Sequence, residues 1–263
     1  MSVMSYIGIA GFSTQQEIEE TIAVVPSNSN WPLAVGILTS AKTIRGIQNR
    51  YPHRYPTVDQ LPNLAQHARA VAAKTQRNVM TVLHYSTDTL DQFEEQMIRV
   101  GGLAAKAGFD AVQVNAPPEL LDTLIFPTLV DRLANVRIIV QLRTVRENEG
   151  WVDLIGLALK LADRSHFITD LLLDSSGGTG THLNLSTTSD LITGIRNGCK
   201  TRDRFRINVA GGLTPRNLVS LETLFRLHGL LGFDVESGVR DSDDCLDIGL
   251  VHQFVAEAYR LAR

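Results

Sequence analysis

The stretch Ile207-Asn208-Val209-Ala210-Gly211-Gly212-Leu213-Thr214-Pro215-Arg216-Asn217-Leu218 carries a β-branched run into two glycines and then into what reads as a Pro-primed helix. Glycines at such a turn let backbone amides approach an anion, and a helix N-terminus behind them adds to the attraction. Some twenty residues on, Gly232-Phe233-Asp234-Val235-Glu236-Ser237-Gly238-Val239 ends a second apolar strand in Ser-Gly. Two strand ends of this kind, late in a chain of 263 residues, fit a phosphate held at the mouth of a (β/α)8 barrel, an architecture of about 250 residues.

Working outward, short apolar runs alternate with longer amphipathic segments along the whole chain, the pattern of parallel strands joined by helices. Eight strands are expected: Tyr6–Ala10, Leu33–Thr39, Val79–Tyr85, Ala111–Asn115, Arg137–Leu142, Ile168–Asp174, Arg206–Ala210 and Gly232–Glu236. Helices are expected over Asp88–Ala107, Pro118–Leu133, Trp151–Asp163, Pro215–Leu227 and Cys245–Leu261. A doubly wound open sheet is the rival, but it more usually has five or six strands and a GxGxxG after the first. Here Gly11-Phe12-Ser13-Thr14 follows the first strand. The reading is therefore α/β, a single (β/α)8 (TIM) barrel forming one domain over residues 1–263. Its one irregular insertion is Gly46–Asn63, where Arg50, His53 and Arg54 lie among prolines 52, 56 and 62; it reads as a lid-like loop.

A net charge of -3 gives no global case for nucleic acid or an anionic membrane as partner, so an anionic ligand must be attracted locally. Cys199 and Cys245 form no CxxC and no Cys/His cluster at metal-ligand spacing, so neither a metal, a cofactor nor a disulfide framework is expected. Met1–Gly11 has no basic region followed by a long apolar one, and no apolar run nears the roughly 20 residues that span a bilayer. A cytoplasmic protein is expected.

Four patches resemble the phosphoribosylanthranilate isomerase family, barrels of tryptophan biosynthesis that carry out an Amadori rearrangement. Leu172-Leu173-Asp174 followed by Gly177-Gly178-Thr179-Gly180-Thr181 resembles its sixth strand and Gly-rich loop. Ala210-Gly211-Gly212-Leu213-Thr214-Pro215 with Asn217 resembles its seventh-strand phosphate loop. Asp234-Val235-Glu236-Ser237-Gly238-Val239 resembles the eighth, with Glu236 where serine is usual, and Asp110-Ala111-Val112-Gln113-Val114-Asn115 resembles the fourth. The resemblance implies Asp174 as general acid, Arg45 as the anion clamp for a carboxylate, and Gln113 as a substrate-binding residue. The family's general base, a cysteine ending the first strand, is missing: Gly8-Ile9-Ala10-Gly11 stands there. Neither Cys199 nor Cys245 falls at a strand end to replace it.

The chemistry needs one acid and one base on opposite sides of a sugar, with pKa values pushed apart by their surroundings. Asp174 suits the acid if burial raises its pKa. His84, closing the third strand, is the first candidate for a replacement base, since imidazole titrates near neutrality; a histidine packed under the rim is the alternative, and His182 competes. Gln141 and Arg143 alternate onto the same side of the fifth strand and suit hydrogen bonding to a carboxylate or sugar hydroxyls. Gly178, Gly180, Gly211, Gly212, Ser237 and Gly238 are expected to bind phosphate. Glu236 would repel that phosphate and must point away. The expected function is aldose–ketose isomerisation of a small phosphorylated substrate. The alternatives are a paralogue with another reaction, such as a lyase or a different phosphosugar isomerase, and a non-catalytic phosphometabolite-binding protein.

Overall fold

A computed structural model describes residues 5–87, 91–121, 136–143, 154–164, 168–175, 183–199, 206–229 and 231–263. The strands are β1 (Ile7–Ala10), β2 (Leu33–Ser40), β3 (Val79–Ser86), β4 (Ala111–Asn115), β5 (Arg137–Arg143), β6 (Ile168–Asp174), β7 (Arg206–Ala210) and β8 (Gly232–Val235). All neighbours run parallel, and β8 pairs back onto β1 through Ile7↔Phe233, Gly8↔Asp234 and Ile9↔Val235, closing the barrel. The expected (β/α)8 architecture is what the chain adopts.

Alternation divides each strand between two dry surfaces. Ile7, Ile9, Val35, Ile37, Leu83, Val112, Val140, Leu171, Val209 and Phe233 face the helices in one large core. A smaller cluster of Tyr6, Ala34, Met80, Val82, Ala111, Ile139 and Leu172 fills the barrel interior. Above it, towards the strands' C-terminal ends, the inward positions turn polar. That change in side-chain chemistry along the barrel axis creates the site.

The helices are α1 (Gln15–Ala23), α2 (Ala41–Ile44), α3 (Leu61–Thr75), α4 (Phe93–Ala107), α5 (Pro118–Leu121), α6 (Leu154–Arg164), α7 (Leu185–Gly198), α8 (Leu221–His228) and α9 (Ile248–Leu261), among the described residues. A capping box starts α1: Thr14 Oγ1 accepts from Glu17 N–H at 3.2 Å while Glu17 Oε2 accepts from Thr14 N–H at 2.9 Å. Three expected starts are corrected. Pro215 does not open a helix, because Asn217 Oδ1 accepts from Thr214 N–H at 2.7 Å and Asn217 Nδ2 donates to Gly212 O at 2.8 Å. Such local side-chain bonds compete with helix; a 3-10 turn at Leu218–Ser220 follows, and only then α8. Cys245 precedes α9, whose cap is Asp247, with Oδ1 accepting from Leu250 N–H at 3.0 Å. The helix expected from Asp88 starts at Phe93, after Gln92 in the left-handed region at φ 59°; residues 88–90 lie outside the described residues, as do 122–133 and 151–153 of the next two.

At the N-terminal end, the fully buried Asp170 joins three strands. Arg206 Nε donates to its Oδ1 at 2.6 Å, and Arg137 Nη2 to its Oδ2 at 3.0 Å. Burial works against this carboxylate, but the two guanidiniums outweigh it and hold its pKa below the ordinary value. Its stabilisation is present above the unfolded-state pKa and lost as pH falls through the depressed folded one. Removing one partner of such a buried pair leaves an uncompensated charge, so Asp170→Ala is expected to cost about 3–5 kcal/mol. Urea denaturation at neutral pH measures it, and an unshifted midpoint refutes the assignment.

Candidate functional site

The C-terminal ends of the strands surround a solvent-open cavity. Ala10, Leu38, His84, Gln113, Asn115, Gln141, Asp174, Ala210, Asp234 and Glu236 line it. A hydrogen-bonded chain crosses its floor: Gln113 Nε2 donates to Gln141 Oε1 at 3.0 Å, and Gln141 Nε2 donates to Asp174 Oδ2 at 2.7 Å. The donated amide N–H of Gln141 fixes the orientation of the Asp174 carboxyl group.

Across the cavity, His84 on β3 and Asp234 on β8 approach each other past β1 and β2, which offer only small residues there. A Cβ on Gly36 would lie 2.7 Å from His84 Nε2 and 3.0 Å from the Ala10 Cα; one on Gly8 would lie 2.7 Å from Asp234 Oδ1. Gly8, Ala10 and Gly36 therefore make room for both polar groups. His84 Nε2 and Asp234 Oδ2 stand 3.9 Å apart, too far for a hydrogen bond. Burial lowers the His84 pKa to about 3 and raises that of Asp234 to about 8, with Glu236 and Asp174 adding to the rise. At neutral pH both are thus uncharged. His84 lines the mouth as expected, but as a neutral imidazole whose desolvation opposes taking up a proton.

The β7 and β8 turns form one wall. Gly211 and Gly212 have φ 123° and 54°, conformations that favour glycine. Among the described residues, neither backbone N–H donates a hydrogen bond. Ser237–Val239 is a 3-10 turn packed against them so closely that a Cβ on Gly238 would lie 1.8 Å from the Leu213 carbonyl oxygen. Gly211, Gly212 and Ser237 line the cavity.

Glu236 lies beside this wall, turned to a cation from the β2 loop. Arg54 Nη1 donates to Glu236 Oε1 at 2.6 Å, and Arg54 Nε to both Asp244 carboxylate oxygens at 2.8 Å. Burial opposes the Arg54 charge, but these bonds dominate and raise its pKa further. Its guanidinium also lies 4.7 Å from the centre of the Tyr51 ring. Beside it, Arg240 donates to the carbonyl oxygens of Gly11 at 2.8 Å and Asp244 at 2.8 Å, tying the end of β1 to the turn that Arg54 grips. The segment 46–63 thus reaches the mouth through Arg54 and Tyr55, while Leu61–Asn63 already belong to α3.

The structure brings together Asp174, His84, Gln113, Gly211, Gly212 and Ser237. It does not bring Arg45 to them. That residue caps α2, its Nε donating to Ala41 O at 3.0 Å, and lines a separate cavity with Asp91, Glu95 and Arg99. Arg143 is turned to β4, its Nε donating to Asn115 Oδ1 at 2.9 Å. Gly178, Gly180 and His182 lie outside the described residues. Sequence reasoning missed Arg54 as the mouth cation and Asp234 as a site residue. Asp234 had a signal: an acidic residue at an inward position, level with a glycine on the neighbouring strand.

The model of the N-(5'phosphoribosyl)anthranilate (PRA) isomerase family matches residues 128–257, which carry the β7 and β8 turns. Over those residues, just under half of the chain, the sequence is similar to the PRA isomerase family. No curated protein matches it. PRA isomerase from Thermus thermophilus superposes with a TM-score of 0.59 at 18% identity, covering 97% of this chain and 99% of that one. The Thermotoga maritima enzyme gives 0.60 at 17%, covering 98% and 100%. A rubisco-like protein from Rhodopseudomonas palustris gives 0.56 at 10%, covering 98% and 65%. At these identities the structures share the fold alone.

Asp234 makes stability depend on pH. Its folded pKa is raised, so the native state holds the proton more tightly than the unfolded chain, and stability falls as pH rises from the ordinary carboxyl range through about 8. Asp234→Asn removes that slope. The variant is expected to melt above the parent at pH 9, by on the order of 5 °C, with the gap closing near pH 4. Parallel melting curves at both pH values overturn this account.

Proposed function

We propose that this barrel binds a small phosphorylated, sugar-derived substrate and isomerises it between aldose and ketose forms, as an intramolecular oxidoreductase. One observation carries the reading: hydrogen-bond donors suited to phosphate and two inward carboxyl groups share the same mouth. The unengaged amides of Gly211 and Gly212, beside Ser237 and Gly238, suit the phosphate. Asp174 and Asp234 are placed two strands apart at one level, since Asp174 pairs with Ala210 and Ala210 with Asp234. Strand spacing sets their Cα atoms about 10 Å apart, room for a sugar between the side chains.

Within this reading Arg54, and not Arg45, is the cation that faces substrate, and Glu236 is neutralised by it. Gln113 and Gln141 serve the hydroxyl groups and Asp174. A PRA isomerase has been solved with reduced 1-(o-carboxyphenylamino)-1-deoxyribulose 5-phosphate; for this chain it is a probe of the mouth. A second reading, a paralogue with a different reaction, is favoured by Ala10, which lines the mouth where the family resemblance expects a cysteine base.

The test is titration calorimetry with that probe and with ribose 5-phosphate. Gly212→Val introduces a β-branched side chain at φ 54°, where it is strained, and closes the anion's approach. Binding is expected to weaken at least about tenfold, which corresponds to 1.4 kcal/mol. Equal affinity in parent and variant removes phosphate from this wall. Binding of both ligands without turnover of phosphoribosylanthranilate favours the second reading.

A further inference from the structure

We propose that Asp234, and not Asp174, holds the proton of the mouth and gives it to the ring oxygen of a phosphorylated aminoaldose, while Asp174 is the carboxylate that takes the C2 proton. This rests on the isomerase reading above and reverses the roles that the family resemblance implies. It also removes the need for a base at Ala10.

The argument is one of charge in a crowded place. Asp174, Asp234 and Glu236 line one cavity whose cationic side chain, among the lining residues, is Arg54. Crowding of three carboxyl groups disfavours the charge of the one with least support. Glu236 is held by Arg54 at 2.6 Å, and Asp174 by the Gln141 amide at 2.7 Å. The groups that act on Asp234 are Tyr6, just before β1, the neutral His84 from β3, Asp174 from β6 and Glu236, which follows its own strand. None of these is a cation. The carboxyl group accepts from the Val235 backbone N–H, and its buried Oδ1 has no hydrogen-bond partner among the described residues. Such an atom in a cavity is unfinished polar chemistry awaiting a ligand. The pKa of about 8 agrees with a carboxylic acid that holds its proton at neutral pH and can give it to a substrate.

The proton balance closes. Asp234 O–H protonates the ring oxygen; the C1–O bond breaks as the nitrogen lone pair forms C1=N⁺. The C2–H bond then breaks, its proton passing to Asp174. The electron pair left at C2 forms C1=C2 while the C=N⁺ π pair returns to nitrogen. Asp174 next protonates C1 as the carboxylate of Asp234 takes the C2 hydroxyl proton, giving the ketone and restoring both residues.

Two measurements on the whole protein decide it. Difference infrared spectroscopy between parent and Asp234→Asn at about pH 6.5 is expected to show a protonated carboxyl band that belongs to Asp234 and titrates away near pH 8; Asp234→Ser provides a second comparison. With phosphoribosylanthranilate, both Asp234→Asn and Asp174→Asn are expected to lower kcat/KM by about 10² to 10⁴. The parent profile should fall above pH 8, and that limb should survive in the residual activity of Asp174→Asn and vanish in Asp234→Asn. An infrared band unchanged by either Asp234 variant overturns the proposal, and so does an alkaline limb that persists in Asp234→Asn. A parent that shows the band but no turnover refutes the isomerase reading, and the catalytic role falls with it.

Discussion

A parallel sheet closed on itself has no edge and no wet face, so every inward side chain of the eight strands must find its partner in one dry interior. That constraint organises the molecule. At the N-terminal end it is met by excess positive charge, with Arg137 and Arg206 fixing Asp170. In the middle it is met by apolar side chains such as Met80, Val82 and Leu172. At the C-terminal end, among the described residues, Arg54 pairs with Glu236 and Asp244, while burial raises the pKa of Asp234. Burial opposes the charge on both carboxyl groups; at Asp170 the guanidiniums of Arg206 and Arg137 outweigh it, whereas at Asp234 the neighbouring Glu236 and Asp174 add to it.

Space matters as much as charge. His84 and Asp234 come from strands that are not neighbours, and they approach only because Gly8 and Gly36 withhold their side chains. Gly238 does similar work at the wall, where its missing Cβ lets the β8 turn rest on the Leu213 carbonyl. These absences admit the His84 and Asp234 side chains on the β1–β2 side and let the β7 and β8 turns pack closely. The β2 loop then reaches the β8 side through Arg54, which neutralises Glu236 and grips the β8 turn through Asp244. Glu236 alone reads as an obstacle to phosphate; beside Arg54 it is half of a fixed pair.

Strand positions were legible because periodicity and turn chemistry are local, and all eight expected strands fall within one residue of those observed at either end. Helix starts were less so. Pro215 promised a helix, and Asn217 prevented it by bonding back to Thr214 and Gly212, a competition between side chain and backbone that a start signal does not reveal. The mouth was partly legible. Asp174, His84, Gln113 and the Gly211–Gly212 turn were identifiable because they sit at strand ends, where a barrel places its chemistry. Arg45 was misplaced: α2 turns it outward to a second cavity, and sequence spacing carries no information about which way a short helix rolls.

The amino-acid sequence by itself determined the closed (β/α)8 fold, the strands that carry the mouth and the glycines that shape its wall, since each follows from hydrophobic period and backbone freedom along contiguous residues. Tertiary structure alone decided which charges meet. Arg54 and Glu236 are 182 residues apart in the chain, Gln141 and Asp174 are 33 apart, and the raised pKa of Asp234 arises from its burial and from the nearby Glu236 and Asp174. Protonation in a crowded cavity depends on distance and burial, which three-dimensional packing sets and one-dimensional order does not contain.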